Sequence, residues 1–268
     1  MTLIRAARLA DRPAVRGICH DDDYVPDVFA DWVRDRHGRL WVACIDGRVV
    51  GVAKLSLIGD REAWLHGLRV DAHYRRLGVA TALFEHRLHR AERLGARAAR
   101  LDTSANNAAV RRIATRRGFR VIGRYAYFTL PAQTGEPPRR ARRAEIARLW
   151  GLTRQSDGLL HEPFTRRRVT RTDIARAIRT GLCVVADDSR GAAAMAIVAP
   201  YGERLGVAHL AGRGRPLHAL LRGLPALAKR LRRKRVALAV PATGWRTTRA
   251  AGYRRPWREA QLIFERRL

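Results

Sequence analysis

The stretch YRRLGVATAL, Tyr74 to Leu83, sets two arginines, a glycine and a small residue where an apolar run gives way to a helical pattern. A helix that opens just after Gly78 has free backbone N–H groups in its first turn, and the positive end of its dipole lies there. Both features suit a pyrophosphate. Gly78 lets the backbone approach a phosphate, Ala80 is too small to obstruct it, and Arg75 and Arg76 can add charge-assisted hydrogen bonds. As a bare pattern, Arg-x-x-Gly-x-Ala is weak in a chain so rich in these residues. RVVGVA, Arg48 to Ala53, fits it too, but falls inside an expected hairpin strand, where Gly51 reads as a packing or bulge position.

Context separates the two matches. AWLHGLRV reads as a strand, DAHYRRLG as a tight polar connection and VATALFEHRLHRAERL as an amphipathic helix. Around them the first half reads as a strand (TLIRAA), two helices (LADRPAVRGIC and DVFADWVRDRHG, the second ending at Gly38) and a hairpin turning at Asp46-Gly47. After the central strand and helix come the strand AARLDTS, a helix from Asn107 to Arg117 and final strands through RVIGRYAYFTL. Asp27 is the expected N-cap of the second helix.

A break follows at PAQTGEPPRRARR, Pro131 to Arg143, read as a linker into a helix that includes AEIARLWGL. The order then repeats. GLCVVADD, AAAMAIVAP and RLGVAHLAG are three strands, and LHALLRGLPALAKRLRR is the next helix, which Pro225 is expected to kink or split. The ending from Val236 follows the plan of the ending from Ala98. A duplicated α/β unit is the preferred account, with domains at 1–133 and 141–268.

The 268-residue chain carries 54 basic and 24 acidic side chains, a formal net charge of +30, and 47% hydrophobic residues, enough for one large domain or two ordinary ones. Such a charge suggests a polyanionic partner. Lys54, Lys229 and Lys234 are the only lysines, however, and the arginines are spread along the chain, which favours compositional bias and solvated helix faces. The runs TRRRVTR, Thr165 to Arg171, and KRLRRKR, Lys229 to Arg235, would carry a nucleic-acid-binding alternative. Cys19, Cys44 and Cys183 form neither a disulfide framework nor a metal pattern. No signal-peptide core or membrane-length apolar run is present, so the expected location is the cytoplasm, with no membrane partner.

At the loop the sequence resembles the GNAT acetyltransferase superfamily. LRVDAHYRRLGVATAL is similar to the family's coenzyme A motif, and NAAVRRIATRRGF to the helix that follows. The resemblance implies a mixed, mostly antiparallel central sheet flanked by helices, which the second of two tandem units follows only in outline, and acetyl-CoA as cofactor. It implies that Leu68 and Val70 meet the acetyl carbonyl and the pantetheine arm through their backbones. Arg75, Arg76, Leu77, Gly78, Val79, Ala80 and Thr81 would wrap the pyrophosphate, with Asn107 near the cofactor. In the second half HLAGRGRPLHAL lacks the Arg-x-x-Gly spacing and places Pro216 where the loop should open, so a second cofactor is not expected.

Acetyl transfer to an amine needs the amine neutral, the carbonyl polarised and a proton for the leaving thiolate. His66 is the first candidate base, against a packed core histidine, because imidazole titrates near neutrality and the family places bases on this strand. Glu62, acting through water, is the alternative. The tyrosine that the family commonly carries as proton donor is Ala114 here, which leaves Ser104, Tyr125, Tyr127 or water. HDDDYVP, His20 to Pro26, is the one acidic run in a basic chain, so Asp21, Asp22 and Asp23 could draw in a cationic amine on a small molecule or peptide. The alternatives to a small-amine acetyltransferase are a regulatory protein with a vestigial or sensory acetyl-CoA site, and an enzyme acting on protein N-termini or lysines.

Overall fold

The computed structural model describes residues 2–59, 61–162 and 164–268. In chain order the first elements are β1 (Leu3–Ala6), α1 (Arg12–Ile18), α2 (Val25–Arg34), β2 (Gly38–Ile45), β3 (Arg48–Ile58), β4 (Glu62–Val70), α3 (Val79–Arg93), β5 (Ala98–Ser104) and α4 (Ala108–Arg116). There follow β6 (Arg120–Pro131), β7 (Arg139–Arg140), α5 (Ile146–Leu152), β8 (Leu159–Glu162), β9 (Thr165–Arg168), α6 (Arg171–Arg179), β10 (Cys183–Asp188), β11 (Gly191–Tyr201) and β12 (Arg204–Gly212). The chain ends with α7 (Gly214–Arg230), β13 (Arg235–Pro241), α8 (Trp245–Ala250) and β14 (Gln261–Arg267).

Two compact units result. The first holds residues 2–103, Asn107–Ile122 and Ile263–Leu268, and the second holds Ser104–Asn106 and Gly123–Leu262. In the first unit the strand order is β1-β2-β3-β4-β5-β14; β1–β2, β2–β3 and β3–β4 are antiparallel and β4–β5 is parallel. In the second it is β6-β13-β12-β11-β10-β7, antiparallel except β12 with β13. Each unit therefore repeats strand, helix, helix, three strands, helix, strand, helix, with the β8–β9 hairpin inserted between the first two helices of the second. The neighbour of β5 is the chain's last strand, β14, whereas β6, which directly follows α4, pairs with β13 in the second unit.

The sheet of the first unit is covered on both faces. Val15, Val25, Phe29 and Trp32 of α1 and α2 pack with Leu40, Val42 and Val52 of β2 and β3. Helix α3 buries Val79, Leu83, Phe84, Leu88 and Ala91, a helical spacing that gives one apolar stripe. The hairpin turn at Asp46-Gly47 is as expected, with φ of 48° and 77° at its two central residues, the left-handed pair that matches strand twist.

Local expectations differ from the structure in several places. Helix α2 starts at Val25 and ends at Arg34, so Asp27 lies in its first turn and is not its cap. Asp23 Oδ1 instead accepts from Val25 N–H at 3.1 Å. Gly38 opens β2 rather than closing the helix. A Cβ there would lie 2.5 Å from the Leu55 carbonyl oxygen of β3, 2.6 Å from Asp35 Oδ2 and 2.8 Å from Lys54 Nζ, so the neighbouring backbone and the ion pair beside it both require glycine. The end of the first half is one long strand, β6. The β8–β9 hairpin and α6 fill the stretch after the α5 helix, where no element was expected.

Pro225 does not split α7, which runs through it for 17 residues. Proline removes the N–H that would bond the carbonyl of Leu221. The Tyr253 hydroxyl donates to that carbonyl at 2.9 Å in its place. The buried stripe Leu217, Leu220, Leu221, Leu224 and Ala228 holds the helix on its sheet.

Candidate functional site

Strands β4 and β5 pair only at Glu62–Ala98, Ala63–Ala99 and Trp64–Arg100, although β4 continues to Val70 and β5 to Ser104. Beyond Trp64 they part, which opens a cleft at their carboxyl ends. Along this opening β4 carries a bulge: Lys54 of β3 faces His66 and Val52 faces Arg69, so one residue of β3 opposes two of β4. Gly67 sits in the bulge with φ of 64°, and Trp32 of α2 lies so close that a Cβ would come within 2.5 Å of its ring. Only glycine meets both demands.

The bulge is held from the other face by Arg87 of α3. Its guanidinium is fully buried and donates to the carbonyls of Leu83 (3.1 Å), Lys54 (3.2 Å) and His66 (3.2 Å). Burial pulls this arginine down to about 9. The cation spends its donors on carbonyls, including those beside the irregular register.

From Val70 the chain passes a 3₁₀ turn at Ala72–Tyr74, fixed by Asp71, whose carboxylate accepts from His73 N–H at 2.9 Å. Arg75, Arg76, Leu77 and Gly78 then form an exposed turn with φ of 66° at Arg76 and 81° at Gly78. The first helical bond of α3 runs from Ala82 N–H to Gly78 C=O, so the amides of Val79, Ala80 and Thr81 stand ahead of the ladder. No atom lies within 4 Å of where a Gly78 Cβ would be. The turn is thus an open cradle that suits a phosphate-bearing cofactor, with Arg75 and Arg76 at its rim. The second unit lacks this device: Arg213 alone joins β12 to α7, and Pro216, in the first turn, has no N–H.

Charged groups of three segments gather at the opening of the cleft. Asp23, before α2, grips Arg69 of β4 at 2.5 Å and 3.1 Å, and the Arg69 guanidinium lies 5.6 Å from the centroid of the Tyr24 ring. Burial is the largest influence on Tyr24 and raises its pKa, while Arg69 opposes that and Asp102 of β5 adds to it. Tyr24 Oη therefore keeps its proton. Arg69 also donates to the carbonyl of Leu68 at 3.0 Å. Asp21 and Asp22 are exposed, whereas Asp23 is committed to Arg69.

The other sequence candidates are placed as follows. His66 is in the core, with Nε2 3.0 Å from Ser56 Oγ and its ring 4.7 Å from that of Trp32; Nδ1 has no hydrogen-bond partner among the described residues. Burial, with Lys54 and Arg87 nearby, holds it well below the usual histidine range, so it is neutral at pH 7. Glu62 stands at the closed end of the strand pair, ion-paired to Arg100 at 2.5 Å, and six residues of strand, about 20 Å, separate it from Leu68. Arg100 also holds Glu265 at 2.6 Å. Asn107 caps α4 by accepting from Val110 N–H at 3.2 Å.

Ser104, Tyr125 and Tyr127 belong to the second unit. Ser104 Oγ donates to Glu259 at 2.9 Å, Tyr125 donates to Asp157 at 2.8 Å, and Tyr127 Oη accepts from Arg166 at 2.6 Å. Ala114 is fully buried. Sequence reasoning missed Tyr24, Arg69 and Asp102. Tyr24 stood next to the quoted acidic run, and Arg69 between the two backbone candidates of β4, so proximity in sequence was the available signal.

The parallel strands β4 and β5 part beside the exposed turn that opens α3, a geometry that suits a phosphate-bearing ligand. Residues 4–119 match the model of the Acetyltransferase (GNAT) family. Over 112 residues the chain is 33% identical to the N-acetylaspartate synthetase of Danio rerio; the match covers 41% of this chain and 40% of that protein, so it spans two fifths of the relative's length. Among solved structures, a GCN5-related N-acetyltransferase from Sphaerobacter thermophilus superposes with a TM-score of 0.70 at 16% identity, covering 99% of this chain and 95% of the other. One from Kribbella flavida gives 0.53 at 16% identity, covering 100% and 72%. Both likenesses extend over the second unit and are likenesses of fold. Among the described residues no helix is long and apolar enough to cross a membrane.

Proposed function

We propose that the chain is an N-acetyltransferase that moves an acetyl group from acetyl-CoA directly to a primary amine, in a ternary complex. The observation that carries this reading is the exposed turn Arg75–Gly78, left-handed at Gly78, which opens α3 beside a strand pair that parts after Trp64 and Arg100. Acetyl-CoA supplies a thioester-activated acetyl group when bound. The amides of Val79, Ala80 and Thr81, with Arg75, Arg76 and the backbone of Leu77 and Gly78, would hold its pyrophosphate. Backbone groups of Leu68 and Val70, in the part of β4 not paired with β5, would hold the acetyl carbonyl and the pantetheine arm, and the amide nitrogen of Asn107 would be a further contact.

Direct transfer is favoured over an acyl-cysteine route. Cys19, the thiol that feels Asp23 and Arg69, is pushed up to about 11 by burial and then by Asp23, so it is protonated and a poor nucleophile. His66 fits a positioning part: a neutral ring wedged between Ser56 and Trp32 keeps the bulge in shape. Tyr24 Oη holds the proton that a leaving thiolate would need. Asp21 and Asp22 attract the amine, and Asp23 anchors their loop to β4 through Arg69.

On this reading residues 1–133 supply the transferase half and 141–268 a structural or acceptor-docking half. The nucleic-acid alternative loses its best support, because much of its basic surface is already engaged. Arg166 bonds Tyr127, and Arg167 pairs with Glu162 and Asp173. Lys229, Arg233 and Lys234 are tied to Thr134, the Gly202 carbonyl and Glu203.

Calorimetric titration with acetyl-CoA tests the central claim. The wild type should bind, and Gly78→Glu, which sets a negative charge and a strained left-handed residue in the cradle, should weaken binding at least tenfold. Equal binding by both proteins would remove the cradle from the cofactor site.

A further inference from the structure

The second half of α3 carries His86, His89, Arg90 and Arg93, at spacings of three, four and seven residues, which puts all four on one stripe of the helix. They face a cavity of about 320 Å³ closed by Arg39 and Trp41 of β2. Trp41 is nearly buried and meets the edge of His86 at a centroid distance of 5.1 Å. Among the described residues no carboxylate lines the cavity. The nearby acids are engaged elsewhere: Asp11 with Arg5, Glu85 with Arg117, and Glu92 with Arg266 at 3.2 Å. Glu92 is also 3.9 Å from His89. The side chains of Arg39, Arg90 and Arg93 make no hydrogen bond or ion pair among the described residues.

Two neighbouring groups register the resulting field. His86 is held below the usual histidine range by burial and then by Arg90, His89 and Arg87. Buried Lys54 is lowered chiefly by desolvation, and Arg39 adds to that effect. A basic last turn is commonplace at a helix C-terminus, where it complements the dipole. That explanation covers Arg90 and Arg93 but leaves unexplained why Arg39 arrives from a strand and why His86, seven residues before the end of the helix, faces the same hollow.

We propose that this cavity is a binding site for a small oligophosphate anion, separate from the cofactor cradle. Three guanidinium forks from two elements can each present paired N–H donors to phosphoryl oxygens, and a cavity of this size lies at the small end of ligand sites. The twelve residues of α3 between Gly78 and Arg90 put it about 18 Å from the cradle along the helix axis. The helix that opens at the cofactor loop thus ends in a second anion receptor. An anion there would join β2 to the far end of α3 without touching the transfer chemistry, so the proposal stands apart from the acetyltransferase reading.

The test is calorimetric titration of the full chain with inorganic pyrophosphate in about 150 mM salt, where long-range surface attraction is screened beyond about 8 Å. Gly78→Glu should retain pyrophosphate binding, whereas R90Q/R93Q, and separately Arg39→Gln, should weaken it at least tenfold. R176Q/R179Q, which removes equal charge from α6 of the second unit, should change it less than twofold. All substituted side chains are exposed or half-exposed, and circular dichroism verifies folding. A parallel titration with ADP separates the sources: tighter binding of ADP identifies a nucleotide, and equal or weaker binding an inorganic oligophosphate. Absence of pyrophosphate binding to wild type, loss in Gly78→Glu alone, or equal losses in R90Q/R93Q and R176Q/R179Q would each overturn the proposal.

Discussion

Removing one oxygen atom, in Tyr253→Phe, measures how the chain tolerates a proline inside its longest helix. Pro225 leaves the Leu221 carbonyl without its usual donor, and both groups are in the core of the second unit, with Tyr253 only 2% exposed. Phenylalanine keeps the ring and its packing, so the change strips the carbonyl of its substitute donor and little else. A buried polar group left without a partner costs about 1–3 kcal/mol. At about 2–4 °C per kcal/mol for a chain of this size, the melting temperature should fall by roughly 2–12 °C. The assay is urea unfolding, read together with hydrogen exchange of the α7 amides, since two units need not unfold as one transition. Pro225→Ala restores the N–H, and in that background the cost of Tyr253→Phe should drop by at least half. An equal cost in both backgrounds would show that the hydroxyl does not stand in for the missing amide, and the reasoning would fail.

Two further outcomes are expected. His66, His161 and His209 are all held below the usual range, burial being the first cause in each. The unfolded chain takes up protons below about pH 6.5 that the folded chain refuses, so stability should be level above that pH and fall as the pH drops toward the folded values. Each unit of depression is worth about 1.4 kcal/mol per histidine, and urea midpoints that stay constant from pH 7.5 to 5 would contradict it. Changing Asp21 and Asp22 together to Asn, with Asp23 left to hold Arg69, should raise KM for a cationic amine up to about fivefold with kcat nearly unchanged, the scale of exposed charge pairs. Steady-state kinetics with a matched pair of cationic and neutral acceptors would expose the idea as wrong if both KM values moved equally.

Much of the first unit was legible because its signals are local. The hairpin at Asp46-Gly47, the strand AARLDTS and the turn before Val79 each rest on residues that act within a few positions of themselves. What could not be read depends on partners distant in sequence. Glycine at 38 stops a helix in the ordinary reading, and its actual reason is the close approach of the Leu55 carbonyl and of the Lys54–Asp35 pair, with Lys54 sixteen residues further along the chain. Asp27 is a sound cap by type, but Asp23 already had an anchor in Arg69 and so fixed the start of the helix two residues earlier. Arg87 looked like one more cation on a solvated face, and only the folded sheet shows that it is buried on carbonyls of β3 and β4. Tyr125 and Tyr127 looked like sheet residues near the chemistry because the strand that bears them follows α4 directly. The pairing of β6 with β13 takes them into the second unit.

That pairing also determines how the gene can be cut. Because β14 completes the first unit beside β5, and β6 completes the second beside β13, each half depends on a ribbon encoded in the other. A stop codon in the linker would leave β5 with a bare edge and β6 with nothing to bind, an invitation to aggregate. Neither half is a portable module, since the first unit can close only once the seven residues of β14 have been made and reach the edge of β5.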